Sequence, residues 1–194
     1  MTENTAAGEP RIAPLTAEEM SDEGKALIAQ LRANYGLSDD YLPDSTATML
    51  RHPAMYGPYI DYVGDRMKAS VVAKRDLELA ILRTGRLCDS GYVWGEHVPF
   101  GKQAGVTDEE MEWLVEGSAA AGWNTRDRAL IRLCEELHVT SHVSDETWGT
   151  IAEHFSDQQI IEIISIIGSY HEVAYLYNAI RVRRIPGNPG LSAR

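Results

Sequence analysis

The chain has 194 residues, 44% hydrophobic and 24% charged, a balance that suits a globular domain and excludes disorder along its length. Its 18 Lys plus Arg against 29 Asp plus Glu give a net charge of −11, which argues against nucleic acid as a partner because phosphate binding wants a basic surface. A small anionic ligand stays open, since a few arginines inside one pocket reverse the local field.

Residues 1–13 are polar, contain Gly8 and Pro10, and are expected to form a flexible N-terminal arm. Thr16 followed by Glu19 has capping-box spacing and predicts a short helix to about residue 34. Residues 35–45 read as loop around Gly36 and Pro43. Residues 46–52 give a helical turn or two, stopped before Pro53. Met55, Tyr59, Val63 and Met67 recur every four residues and predict a helix over 53–70. Another helix runs from about 73 to 88. Asp89, Ser90 and Gly91 then either turn the chain or continue smoothly into a helix over 92–103.

Thr107 with Glu110 opens a helix ending near Gly117, and Asn124 or Thr125 caps one ending near Val139. Ser144, with Asp145 and Glu146 well placed for the helix dipole, starts one more. Ser156 with Gln159 opens a long helix to about Val182. Pro186, Gly187, Pro189 and Gly190 end regular structure and leave 186–194 as a C-terminal tail. The most apolar stretch, 160–177, is interrupted by Glu162, His171 and Glu172, so no membrane span is expected. An N-terminus without a basic and then apolar pattern points to the cytoplasm. No stretch alternates with period two. The expected architecture is all-α: one helical domain over 14–185 with about eight helices.

Read at 100° per residue, Leu77, Ala80, Ile81, Thr84 and Cys88 share one arc, while Leu79, Leu82 and Leu87 lie well outside it. A helix apolar on most sides is central rather than superficial. Glu78 points between Ile81 and Leu82. A carboxylate there is desolvated or faces a cavity, so it is protonated or paired. Pairing with Arg75 or Arg86 is the plain reading. Gly85, which weakens a helix by about 1 kcal/mol relative to Ala, leaves room for another helix or a ligand beside Glu78.

On the following helix Ser90, Val93, His97, Gly101 and Ala104 share one narrow face. His97 is the side chain on it whose unperturbed pKa lies near neutrality, and a lone histidine on such a face is more often a satisfied structural residue than a catalyst. Cys88 and Cys134 lie 46 residues apart with no CxxC and read as buried reduced thiols. No metal constellation is visible. His138 and His142 have i,i+4 spacing, but Thr140 and Ser141 suggest that their helix is already ending.

The run RDLELAILRTGRLCDSGYVWGEHVPFGKQAGVTDEEMEWL resembles the carboxymuconolactone decarboxylase family, part of the alkylhydroperoxidase D-like superfamily. The resemblance is carried by RxxExxILR from Arg75 to Arg83, by Tyr92-x-Trp94-x-x-His97, and by AGVTDEE. The later RDRALIRLCEELHVTSHVSDETW and LYNAIRVRRIPG are similar to the C-terminal part of longer members, so the resemblance spans most of the chain from about residue 10. It implies a helical bundle of the alkylhydroperoxidase D-like type. Thiol enzymes of the superfamily follow the pattern Glu, eleven residues, Cys-x-x-Cys, three residues, His. Counted back from His97, the acid falls on Glu78 and the thiols on Ser90 and Val93. Cys88 sits two residues before the first thiol position, about 200° away on a continuous helix.

The resemblance therefore implies the decarboxylase-type branch that lacks the CxxC. The activity it implies is a cofactor-free lyase or isomerase, in aromatic-compound catabolism, using acid–base chemistry on a small carboxylated or lactone-type metabolite. His97 handles the proton and Glu78 orients it. Arg86 or Arg75 holds a carboxylate in a two-pronged fashion. Tyr92 donates to developing oxyanion charge, Trp94 forms a flat wall, and His171 lines the same pocket. No cofactor and no metal are expected. The partners implied are an anionic small molecule and further copies of the chain, in trimers or multiples of three. One competing reading is a thiol peroxidase, disfavoured because Ser and Val supply no thiolate. Another is a non-catalytic oligomeric binding protein built on the helix with six isoleucines between 160 and 167.

Overall fold

Several of the helices begin where a side-chain oxygen meets a free backbone N–H. In the computed structural model, which describes residues 8–194, Ser21 caps α1 (Asp22–Tyr35) by accepting from Gly24 N–H. α2 (Asp44–Met49) and α3 (Pro53–Ala69) follow. The motif-bearing pair is α4 (Lys74–Leu87) and α5 (Gly91–Gln103). Thr107 and Glu110 make a full capping box at α6 (Asp108–Glu116). Asn124 caps α7 (Thr125–Thr140), and Ser144 caps α8 (Asp145–His154). α9 (Asp157–Ile180) is the longest, and a 3-10 turn closes Gly190–Ser192. The expected all-α class is observed: nine α-helices and no strand among the described residues.

Two boundaries differ from expectation. Thr16 N–H does bond to Glu19 Oε2 at 2.9 Å, but this closes only a turn, and α1 starts at Asp22. Ser21 followed by Asp22 and Glu23 is the stronger start, because a cap and two acids act on the same helix end. α9 stops at Ile180 rather than near 182, with Arg181 in the left-handed region at φ 61.

The described chain forms two compact units. One comprises 71–178 and 187–194, and the other comprises residues up to Ser70 together with 179–186. In the first, α4 packs against α5, α6 and α7. Leu79, Leu82, Trp94, Met111, Leu114, Leu130, Ile131, Leu133, Ile151, Ile163 and Ile166 are its fully buried large side chains. Each such side chain contributes roughly 1.5–3 kcal/mol on burial. In the second, α1 packs on α3, and Ile28, Met49, Leu50 and Tyr56 are buried. Of the expected arm, residues 1–7 lie outside the described residues. Arg11 is held by its backbone N–H donating to the Ile180 carbonyl at 2.8 Å. No helix is long and apolar enough to cross a membrane among the described residues.

Candidate active site

The charged side chains of α4 sort by what they touch. Arg75 donates to Asp127 at 2.9 Å and also binds Glu110. Asp76, nearly buried, takes a two-pronged grip from Arg126 at 2.8 and 2.5 Å. Arg83, 8% exposed, pairs with Glu135 at 2.7 Å and donates to the Leu114 carbonyl at 2.7 Å. Charges this deep are tolerated only when paired. The two arginines that frame RxxExxILR thus tie α4 to α6 and α7. Arg75, proposed from the sequence as a carboxylate clamp, already spends its fork on two carboxylates of the protein.

Glu78 is the acid left over. Its Oε2 lies 2.9 Å from His97 Nδ1, with the side chains 15% and 16% exposed. Its partner is therefore His97 of α5, not Arg75 or Arg86. Small residues bring the two helices this close. A Cβ on Gly85 would stand 2.8 Å from Val93 Cγ1, and one on Gly101 would stand 2.9 Å from Leu82 Cδ1. The connection is a true turn. Asp89 adopts φ 52, and Ser90 caps α5 with its hydroxyl accepting from Val93 N–H at 3.4 Å.

A carboxylate oxygen only accepts, so the hydrogen of this contact is carried by Nδ1. That leaves Nε2 of His97 without a hydrogen bond among the described residues. The ring is steadied edge-on by Tyr170 at 4.9 Å and Phe100 at 5.7 Å. Tyr170 was not singled out by sequence reading. Its signal was only an aromatic on the apolar last helix.

The remaining expected residues fall in different places. Arg86 is half-buried in the last turn of α4 and makes no ion pair with the described residues. Tyr92 meets Tyr177 edge-on at 4.6 Å. Trp94 is fully buried and donates its indole N–H to the Ala193 carbonyl at 3.0 Å, so it offers no wall to a ligand. The C-terminal segment covers it: Asn188 donates to the Tyr92 carbonyl and to Glu96, and Gly95 leaves room, since a Cβ there would fall 1.8 Å from Asn188 Oδ1.

His171 faces His138 rather than His97. Its Nε2 lies 2.9 Å from His138 Nδ1, and its Nδ1 bonds the Ile167 carbonyl at 2.8 Å. Cys88 Sγ lies 3.9 Å from the same His138 nitrogen. This cluster draws on α4, α7 and α9, from residues 50 and 33 positions apart. No sequence spacing betrays it.

The thiols themselves are poor nucleophiles. Burial pushes Cys88 up to about 11 and Cys134 up to about 12. Ser90 and Val93, at the two thiol positions of the motif, are buried. Ser90 is committed to the α5 cap, and Val93 fills the space beside Gly85.

No family model and no curated protein matches the sequence. Solved structures do match. A peroxidase-related protein from Silicibacter sp. superposes with a TM-score of 0.73 at 15% identity, over 95% of this chain and 96% of that one. A protein of unknown function from Agrobacterium tumefaciens, named only as a candidate antioxidant defence protein AhpD, gives 0.64 at 16% identity, over 71% of this chain and 94% of its own. A debrominase solved with 2,3,4-tribromopyrrole gives 0.67 at 14% identity, over 90% of this chain and 91% of its own. At this identity the likeness is one of fold.

Proposed function

We propose, from the premise that this chain has the alkylhydroperoxidase D-like fold, that it is an enzyme working by proton transfer and not by thiol redox chemistry. The reaction class is that of a lyase or isomerase acting on a small carboxylated or lactone-type metabolite. The observation that carries the reading is the 2.9 Å Glu78–His97 contact in a motif whose thiol positions hold Ser90 and Val93.

In a decarboxylation the C–C bond to the carboxylate breaks, carbon dioxide leaves, and the electron pair passes into a conjugated enolate. Protonated His97 returns a proton from Nε2 to carbon, while Glu78 holds Nδ1–H and stabilises the imidazolium. In an isomerisation the same nitrogen removes one proton and delivers it elsewhere. Arg86, free of ion pairs among the described residues, is the cation offered to a second carboxylate. The acid–base step at His97 calls on no cofactor. The peroxidase-related description of the Silicibacter neighbour stands for a chemistry that needs an accessible thiolate. On the family resemblance we also propose a homo-oligomer, read by light scattering.

The test is turnover of unsaturated lactone acids, followed by carbon dioxide release and by solvent-proton incorporation. His97→Ala should lose about 10²–10⁴-fold in rate with its helical circular dichroism intact. An active His97→Ala protein, or peroxide consumption with a dithiol reductant, would remove the reading.

A further inference from the structure

We propose that Cys88 Sγ, His138 Nδ1 and His171 Nε2 form a binding site for a zinc-class divalent ion, with three protein ligands and an open fourth position. The inference goes beyond the proton-transfer reading and shares no residue with the Glu78–His97 pair. Among the described residues these are the three whose donor atoms converge as a Cys/His set, all within 4.8 Å of one another.

Geometry comes first. Around a tetrahedral zinc with Zn–N near 2.0–2.1 Å and Zn–S near 2.3 Å, donor atoms stand roughly 3.3–3.6 Å apart. The observed separations of 2.9 Å between the histidine nitrogens and 3.9 Å from sulfur to His138 bracket that value. The two His138 separations each need to change by about half an ångström or less, and the Cys88–His171 pair lies within the same 4.8 Å. His138 lies in the last turn of α7, where the chain leaves the helix through Ser141 at φ 60, so such movement is cheap there.

The surrounding bonds favour ligation as well. His171 donates its Nδ1–H to the Ile167 carbonyl, one turn back on α9, at 2.8 Å. That bond fixes the tautomer with the lone pair on Nε2, the arrangement commonly found behind metal-bound imidazoles. It also makes His171 Nε2 an acceptor, so His138 Nδ1–H now fills the position an ion would take. Asn178 donates to the Cys88 carbonyl at 2.9 Å and holds the turn that presents the thiol.

The local charge admits a cation. Burial, with His171 and Arg83 adding to it, lowers the affinity of His138 for a proton. Arg83 is the nearby fixed positive charge, and Glu135 at 2.7 Å neutralises it. On binding, the Cys88 thiol releases one proton and becomes thiolate, and His138 carries its hydrogen on Nε2. All three ligands are half-buried, which leaves solvent access for a water in the fourth position. One soft sulfur and two imidazoles select the borderline-soft ions over magnesium or calcium.

The experiment is a titration of the full-length, metal-free, reduced protein with Co²⁺, then competition with Zn²⁺. The expected result is one ion per chain, a thiolate-to-cobalt charge-transfer band in the near ultraviolet, intense visible bands of tetrahedral cobalt, and loss of both on adding zinc. Cys88→Ser should abolish the ultraviolet band. His138→Gln and His171→Gln should each weaken affinity beyond the about 10–100-fold that loss of a supporting bond costs. His142→Gln, exposed beyond the end of α7, should change nothing. Circular dichroism checks that each variant keeps its helices; if Cys88→Ser does not fold, the native titration and the two histidine variants decide. Absence of a thiolate band in the native protein overturns the proposal, as does a band or affinity that survives loss of these ligands.

Discussion

Within little more than one turn, α4 carries two kinds of paired charge. At its start, Arg75 and Asp76 belong to a closed network with Glu110, Arg126 and Asp127, in which every charged group has an opposite charge and the Asp127 side chain is 3% exposed. Three residues after Arg75, Glu78 meets one imidazole, and the second nitrogen of that ring has no hydrogen bond among the described residues. A closed network of paired charges holds helices together. An acid–imidazole pair with one ring nitrogen uncommitted among the described residues is, on the proposed function, the one that passes a proton on.

The contrast can be broken from either side. Asp127→Ala should have the largest effect on stability, about 3 kcal/mol, the low end for breaking a buried ion pair because both guanidiniums keep a second carboxylate. Urea denaturation measures it, and a loss under 1 kcal/mol would dissolve the distinction between the two sites. Glu78→Gln should do the reverse. The amide oxygen of Gln still accepts from Nδ1–H, so stability should fall by about 0.5–1.5 kcal/mol, while turnover on a substrate of the proposed class falls about a hundredfold, the lower range for acid–base catalysis.

Gly85→Ala tests the close approach on which the pair depends. The added methyl meets the stiff Val93 side chain at 2.8 Å and the Trp94 backbone at 3.4 Å. Overpacking of this kind costs about 1–3 kcal/mol. Adding Val93→Ala to the same chain should return part of it, and thermal unfolding of the four proteins of the cycle reads the coupling.

The smallest effect is a pH dependence in another closed cluster. At Glu136 burial opposes ionisation. Hydrogen bonds from the Ser144 backbone and from the Thr147 and Ser144 hydroxyls outweigh it, together with Arg132, and hold the carboxyl below its ordinary value. Its folded affinity for protons is then lower than its unfolded one. The stabilisation is complete above the ordinary carboxylate range and is lost as pH falls through the folded value. Glu136→Gln should flatten that acid limb in denaturation curves taken across it.

What could be read from the sequence was what is written locally. The Thr107 and Ser156 capping boxes, the Ser144 cap and the all-round apolar character of α4 each depend on residues within one helix, and each appears in the structure. The Glu78 and His97 positions also lay in one continuous motif. Arg75 was harder, because its partners lie 35 and 52 residues away and no periodicity announces them. Trp94 looked like a ligand wall until its cover, 99 residues further on, was known. Cys88 was judged as part of a continuous helix. The turn at Asp89 instead ends α4 there, and the thiol lies beside His138.

The lid over Trp94 also makes the protein report on itself by light. Of the four indoles, Trp148 is 48% exposed and gives a steady solvent-like background, whereas Trp94 is sealed and hydrogen-bonded to Ala193. Whenever the last few residues lift from α5, one sealed fluorophore meets water and its emission shifts to the red. Intrinsic fluorescence, without a label, therefore responds to the seating of the C-terminal segment through Trp94, while Trp123, buried and bonded to the Gly117 carbonyl, responds to the helices.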